Sequence, residues 1–171
     1  MTGTSLALEW LNALPAHDAE HELRTCCASA AWAGVVGAAR PFADAGALAT
    51  TAAAALEALE WPDVEEALSA HPRIGDRPEG AGRESAWSRA EQSGVDDAGQ
   101  EVVEALHTGN IAYEQRFGRV FLIYATGRSA GEMLAALRER LGNDEETERR
   151  AVRAELMKIV QLRLTKLLER P

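Results

Sequence analysis

His71, Ser88, Glu91, Gln92 and Arg163 are the side chains of this 171-residue chain whose types and spacing could do chemistry. His71 lies in His71-Pro72-Arg73-Ile74-Gly75-Asp76-Arg77-Pro78, a loop dense in proline, glycine and charge. Imidazole gives or takes a proton near neutral pH, and Pro72 restricts the backbone at His71 and so pre-positions the ring. A loop histidine more often does no more than hydrogen-bond a backbone carbonyl, and residue type alone favours that plainer role. Ser88, Glu91 and Gln92 are spaced i, i+3, i+4 and share one helical face. Such a face is usually solvated. A working face would let Glu91 orient or charge His71 while Ser88 and Gln92 hold substrate amides. Ser88 lacks a G-x-S-x-G context, so it does not read as an acylated nucleophile.

Arg163 is read from periodicity. At about 100° per residue, Val152, Leu156, Ile159, Val160, Leu164 and Leu167 form one stripe, and Arg163 falls near its centre. A guanidinium there is costly unless paired or bound to an anion. A structural ion pair or an outward-reaching side chain and a fork gripping a substrate carboxylate remain equal readings at this point. His17-Asp18-Ala19-Glu20-His21 matches the H-x-x-E-H pattern of inverted zinc peptidases. No third ligand is indicated, and a solvated first helical turn is the better reading. Trp10, Trp32, Trp61 and Trp87 read as core or rim packing.

The elements that must position these groups read as helical nearly throughout. Ser5 caps a helix carrying Leu6, Trp10 and Leu14 at helical spacing, and Pro15 ends that turn. A second helix is expected from about Asp18 into the Trp32 region, ended by Gly34, Gly37 and Arg40-Pro41. Alanine-rich sequence from about Gly46 to Glu60 predicts a third. Pro62 opens a short helix ending near Ala70. Residues 77–83 are expected to be irregular, and a helix from about Glu84 to Ser93 follows. Asp96 or Asp97 is expected to cap a long helix to Arg116 with Val102, Val103, Leu106 and Ile111 as its apolar positions, closed by Phe117-Gly118. Val120–Ala125 could be a buried extended run. Ser129-Ala130-Gly131-Glu132 is a capping-box pattern opening a helix to about Leu141. Gly142-Asn143 stops it, and a last helix runs from about Asp144 to Glu169. The expected architecture is all-α, a single-domain bundle of about eight to nine helices over residues 1–171.

Composition narrows the function. Hydrophobic residues make up 46% and charged residues 26%, an ordinary globular mixture. The net charge of −9 argues against nucleic acid or a polybasic membrane surface as partner. Cys26 and Cys27 are adjacent and too few for a disulfide framework, and zinc-type spacing is missing. A reduced, cytoplasmic setting fits. Neither a signal peptide nor an apolar run of about 18 residues is seen.

The ordered motifs resemble one family. They are His71-Pro72-Arg73-Ile74-Gly75, Ser88-x-x-Glu91-Gln92, Asn110-x-x-Tyr113-Glu114-x-Arg116-Phe117-Gly118, Phe121-Leu122-Ile123, Arg140-Leu141-Gly142-Asn143 and Leu162-Arg163-Leu164. The similarity extends upstream through Cys26, Trp32 and Arg40-Pro41-Phe42. Together they are similar to 2-oxo-4-hydroxy-4-carboxy-5-ureidoimidazoline (OHCU) decarboxylases, which end the route from urate to (S)-allantoin. The resemblance implies an all-helical homodimer and a decarboxylation needing neither metal nor organic cofactor. It casts His71 as the catalytic proton-transfer residue and Glu91 as its partner, with Ser88 and Gln92 as substrate ligands and Pro72 lining the pocket. Phe121, Ile123, Tyr124 and Ala125 would supply wall and backbone contacts, and Arg163 would hold an anionic or carbonyl edge. The family loop often carries lysine after its glycine; here Asp76-Arg77 follow Gly75. A metal hydrolase built on His17, Glu20 and His21, and a non-catalytic module binding a ureido or purine-derived ligand, are the rival readings.

Overall fold

The computed structural model describes residues 5–76, 82–96 and 98–169. Among them are nine α-helices, one 3-10 turn and no strand, in keeping with the all-α expectation. The chain forms two compact units, Met1–Ala67 with Met157–Pro171, and Leu68–Leu156.

The first unit holds α1 (Leu6–Ala13), α2 (Ala16–Arg24), α3 (Ala30–Ala38), α4 (Ala45–Glu57) and most of α5 (Trp61–Leu68). Ser5 caps α1 as expected, its hydroxyl accepting from the Leu8 amide at 3.2 Å. The buried face of α1 is Ala7, Leu8 and Leu11, however, and Leu6 is 81% exposed. At the other end of α1, the Arg40 guanidinium donates to the Leu11 and Leu14 carbonyls at 2.8 and 2.7 Å, satisfying groups that the helix end leaves open.

The expected single helix from Asp18 to the Trp32 region is two helices. Thr25 ends α2, Cys26 and Cys27 turn the chain while buried, and Ser29 starts α3 by accepting from the Trp32 amide. This break lets α3 fold back on α2. Gly37 does not end α3 but sits inside it; a Cβ there would meet Glu20 and Leu23 of α2. Trp32 is fully buried and donates its indole N–H to the Ala52 carbonyl of α4 at 3.0 Å. Asp44 caps α4.

The second unit holds α6 (Arg83–Glu91), a 3-10 turn (Ser93–Val95), α7 (Gln100–Phe117) and α8 (Ala130–Arg140). The start of α6 agrees with expectation, while most of the run read as irregular over 77–83 lies outside the described residues. Asp96 does not cap α7: it closes the 3-10 turn, and Gly99 precedes the helix. Asp97 lies outside the described residues. The buried face of α7 is Leu106, Asn110 and Tyr113, whereas Val103 and Ile111 are 36% and 41% exposed. Leu106 is buried and Val102 packs against the core as read, but the apolar count missed two polar-headed side chains, Asn110 and Tyr113, that take inward positions. Gly118 ends α7 in the left-handed conformation, φ 70°, and the Ser129–Glu132 capping box opens α8. Gly94 lies against the Arg128 carbonyl, where a Cβ would come within 2.0 Å of the oxygen.

Residues 120–125 are neither helix nor strand, and Phe121, Leu122, Ile123 and Ala125 are buried. A buried non-helical backbone must find partners. Arg140 supplies one, donating to the Leu122 carbonyl, and Glu155 another, accepting from the Tyr124 amide at 3.0 Å. Helix side chains thus do what a neighbouring strand would do. Arg140 also pairs with Glu148, which is fully buried and accepts from the Tyr113 hydroxyl at 2.7 Å and from the Asn143 amide at 3.0 Å.

The last helix, α9 (Glu145–Leu168), contributes residues to both units. Its stripe is as read: Val152, Leu156, Ile159, Val160, Leu164 and Leu167 are all buried.

Candidate active site

In the second unit, the loop from His71 to Asp76 follows the end of α5 directly, the His71 amide donating to the Leu68 carbonyl at 3.0 Å. His71 and Pro72 are half-buried, Arg73 is exposed, and Ile74 is 5% exposed. Ile74 packs into the same cluster as Phe121, Ile123 and Ala125, with Leu106, Tyr113 and Leu137 around them. The apolar core therefore anchors the loop at one residue. Gly75 has φ 96°, a conformation that side-chain-bearing residues rarely take.

Polar contacts complete the anchorage. The Asn110 amide donates to the Ile74 carbonyl at 2.8 Å in a buried bond. Arg73 forks onto Glu114, Nε to Oε1 at 2.8 Å and Nη2 to Oε2 at 2.9 Å. This pairing raises the guanidinium pKa, the hydrogen bond to Glu114 contributing most. From the end of α6, Gln92 accepts from the Gly75 amide at 3.1 Å and donates to the Arg73 carbonyl at 3.5 Å. Of the residues that sequence placed on one face of α6, Ser88 and Glu91 are buried at 5% and 8% exposure, while Gln92 reaches the loop. Gln92 also lines a groove of about 380 Å³ with Gly75, Asp76, Arg89, Asp96 and Val103, within the range of small-ligand sites.

The segment expected to supply a wall is turned inward, with Phe121, Ile123 and Ala125 all below 5% exposure. Tyr124 is half-buried, and its amide is held by Glu155. Asn110 and Glu114 had no role assigned from sequence. The available signal was of the kind that singled out Arg163: Asn110 follows Leu106 by four residues and precedes Tyr113 by three, a polar group on a buried helical face.

In the first unit, Arg163 is 4% exposed, as its place in the stripe required. Its charge reaches the Cys27 thiol and lowers that pKa, while Glu66 raises it. Burial is the largest effect, acts in the same direction as Glu66, outweighs the Ser29 backbone hydrogen bond and the Arg163 charge, and pushes the thiol up to about 11. Cys27 is accordingly protonated near neutrality and inert as a nucleophile. Glu66 itself accepts from the Ala30 amide at 2.6 Å. The histidine pair of α2 gains no support, since the His17 side chain is 90% exposed and the described residues contain no cluster fit for a metal ion. No helix among the described residues is long and apolar enough to cross a membrane.

Comparison with known proteins decides the kinship. The family model described as OHCU decarboxylase matches residues 12–165. The chain belongs to the OHCU decarboxylase family. It is 33% identical over 149 residues to the 2-oxo-4-hydroxy-4-carboxy-5-ureidoimidazoline decarboxylase of Amia calva, covering 84% of this chain and 81% of that protein. It is also 33% identical over 151 residues to the uric acid degradation bifunctional protein TTL of Arabidopsis thaliana, covering 86% of this chain and 47% of that longer protein. A crystal structure of an OHCU decarboxylase in the presence of (S)-allantoin matches with a TM-score of 0.77 and 32% identity, over 87% of this chain and 98% of that one. The helical architecture is therefore that of the OHCU decarboxylases, and the motif order from His71 to Arg163 is read within that family.

Proposed function

We propose that this member of the OHCU decarboxylase family converts OHCU to (S)-allantoin, the closing step of urate degradation, as a carboxy-lyase without metal or organic cofactor. The observation that carries the reading is the 32% identical relative crystallised in the presence of (S)-allantoin, covered over 98% of its length. The anchored loop bearing His71 supports it, because a proton-transfer group must be held in place.

OHCU bears a carboxylate on a ring carbon that also carries a hydroxyl. Breaking the bond to the carboxyl carbon releases CO2 and passes the electron pair into the adjacent ring C=N unit, giving an enol. The neighbouring ring carbon that bears the ureido group then takes a proton on one face as the hydroxyl gives up its own and becomes a carbonyl, with one proton taken up overall. His71 serves as the proton-transfer residue and Glu91 fixes its tautomer. General acid–base help of this kind is worth roughly 10²–10⁴-fold. Ser88 and Gln92 hold the substrate amides, Pro72 lines the pocket, and Phe121, Ile123, Tyr124 and Ala125 supply wall and backbone contacts. Arg163 holds an anionic or carbonyl edge. Residues 1–171 act as one decarboxylase domain, assembled as a homodimer in the cytoplasm.

The test is the circular dichroism of allantoin formed from OHCU generated in situ. Unaided protonation in water reaches both ring faces and gives no optical signal, so rapid growth of one enantiomer isolates the enzyme's contribution. Replacing His71 by Gln should cut that signal's rate at least about 100-fold without moving the melting temperature. A racemic product with the unaltered protein would overturn the activity, and a fully active His71→Gln variant would overturn the role of His71.

A further inference from the structure

The His71 loop is gripped at three consecutive residues by side chains from elsewhere in the second unit. Glu114 holds the Arg73 guanidinium through two parallel bonds, Asn110 holds the Ile74 carbonyl, and Gln92 holds the Gly75 amide. Asn110 and Glu114 lie one turn apart on α7 and so act from the same side. Stability alone does not explain this arrangement. The Arg73–Glu114 pair is partly solvated, with the Arg73 side chain 46% exposed, and such pairs contribute little to folding. Asn110 is 3% exposed, and its Oδ1 has no hydrogen-bond partner among the described residues, which is a cost to the fold. Turning the amide over would set Oδ1 against the Ile74 carbonyl, so the loop contact dictates which way it faces.

We propose that Glu114 and Asn110 are positioning residues for the decarboxylation, acting through Arg73 and Ile74 to hold the loop so that His71 presents its imidazole in one place. This rests on the catalytic reading of His71 given above. Neither residue needs to touch the substrate. Their effect is geometric, and small misplacements of a reacting group cost up to about 10²-fold in rate.

The experiment measures kcat and KM for formation of the single allantoin enantiomer, with melting temperatures, for Glu114→Ala, Glu114→Gln, Asn110→Ala, Arg73→Glu and the exchanged pair Arg73→Glu with Glu114→Arg. Cutting the grip should lower kcat about 10- to 100-fold while KM changes less than about threefold. The exchanged pair should recover at least about tenfold of the rate that Arg73→Glu loses, a rescue that general destabilisation would not give. Should Glu114→Ala fail to fold, Glu114→Gln, which keeps the side chain's size, and the exchanged pair carry the test. Unchanged kcat in all the single variants, or an exchanged pair no faster than Arg73→Glu, overturns the proposal. His71→Gln is measured alongside. If it is inactive while the Glu114 and Asn110 variants are fully active, positioning fails and the role of His71 stands. If His71→Gln is itself fully active, both fail.

Discussion

At the scale of single residues, burial decides which groups can react. Cys27 looks reactive by type, yet its thiol is pushed up to about 11 by burial, with the Arg163 charge too weak an offset. The folded state therefore binds the thiol proton more tightly than the unfolded chain, whose reference value is 9.0. The resulting stabilisation is complete below pH about 9 and is lost as pH rises through about 11. Tyr113 works in the same direction at higher pH, its phenol raised first by burial and then by donating to Glu148. Urea unfolding at pH 8 and pH 10.5 should show the unaltered protein losing about 2 kcal/mol more stability than Cys27→Ala across that interval. Parallel losses would assign the alkaline limb to other groups. Arg163 is the converse case: periodicity placed it in the interior, but its neighbours come from chain segments that periodicity along one helix does not identify.

At the scale of elements, capping chemistry was the most readable signal. Ser5, the Ser129–Glu132 box and Gly118 each mark a helix end through bonds to residues three or four positions away. The ends that were misread depend on distant packing. The break between α2 and α3 exists because α3 folds back onto α2, which the helix propensity of residues 18–32 does not reveal. The inner face of α7 is set by what Tyr113 and Asn110 find there: Glu148, 35 positions away, and Ile74, 36 positions away. Glu148 also pairs with Arg140, which in turn holds the 120–125 segment through the Leu122 carbonyl. The energetics of this network differ by member. Glu148→Gln removes the counter-charge of a buried guanidinium and should cost about 3 kcal/mol or more. Tyr113→Phe removes one hydrogen bond and should cost about 1 kcal/mol. Chemical denaturation of both variants gives the order, and equal losses would show that Arg140 keeps a partner of comparable strength without the Glu148 charge.

At the scale of the whole molecule, the acidic balance of −9 and the all-helical architecture set the class, and the match over residues 12–165 sets the family. For the proposed homodimer, light scattering should give a mass near twice the 18.4 kDa of one chain, and a mass of one chain at micromolar concentration would exclude it. The sequence by itself determined that the chain is helical, where most helices begin, that Arg163 lies inward, and which loop bears the histidine. These follow from interactions within about one or two helical turns, and the order of bonds along the chain carries them. Only the tertiary structure decided that Gln92 reaches the loop backbone, that Arg140 and Glu155 stand in for a neighbouring strand, and that α7 grips Arg73 and Ile74. Those pairings join residues 17 to 41 positions apart, and local propensity holds no information about which distant partner folding brings within hydrogen-bond reach.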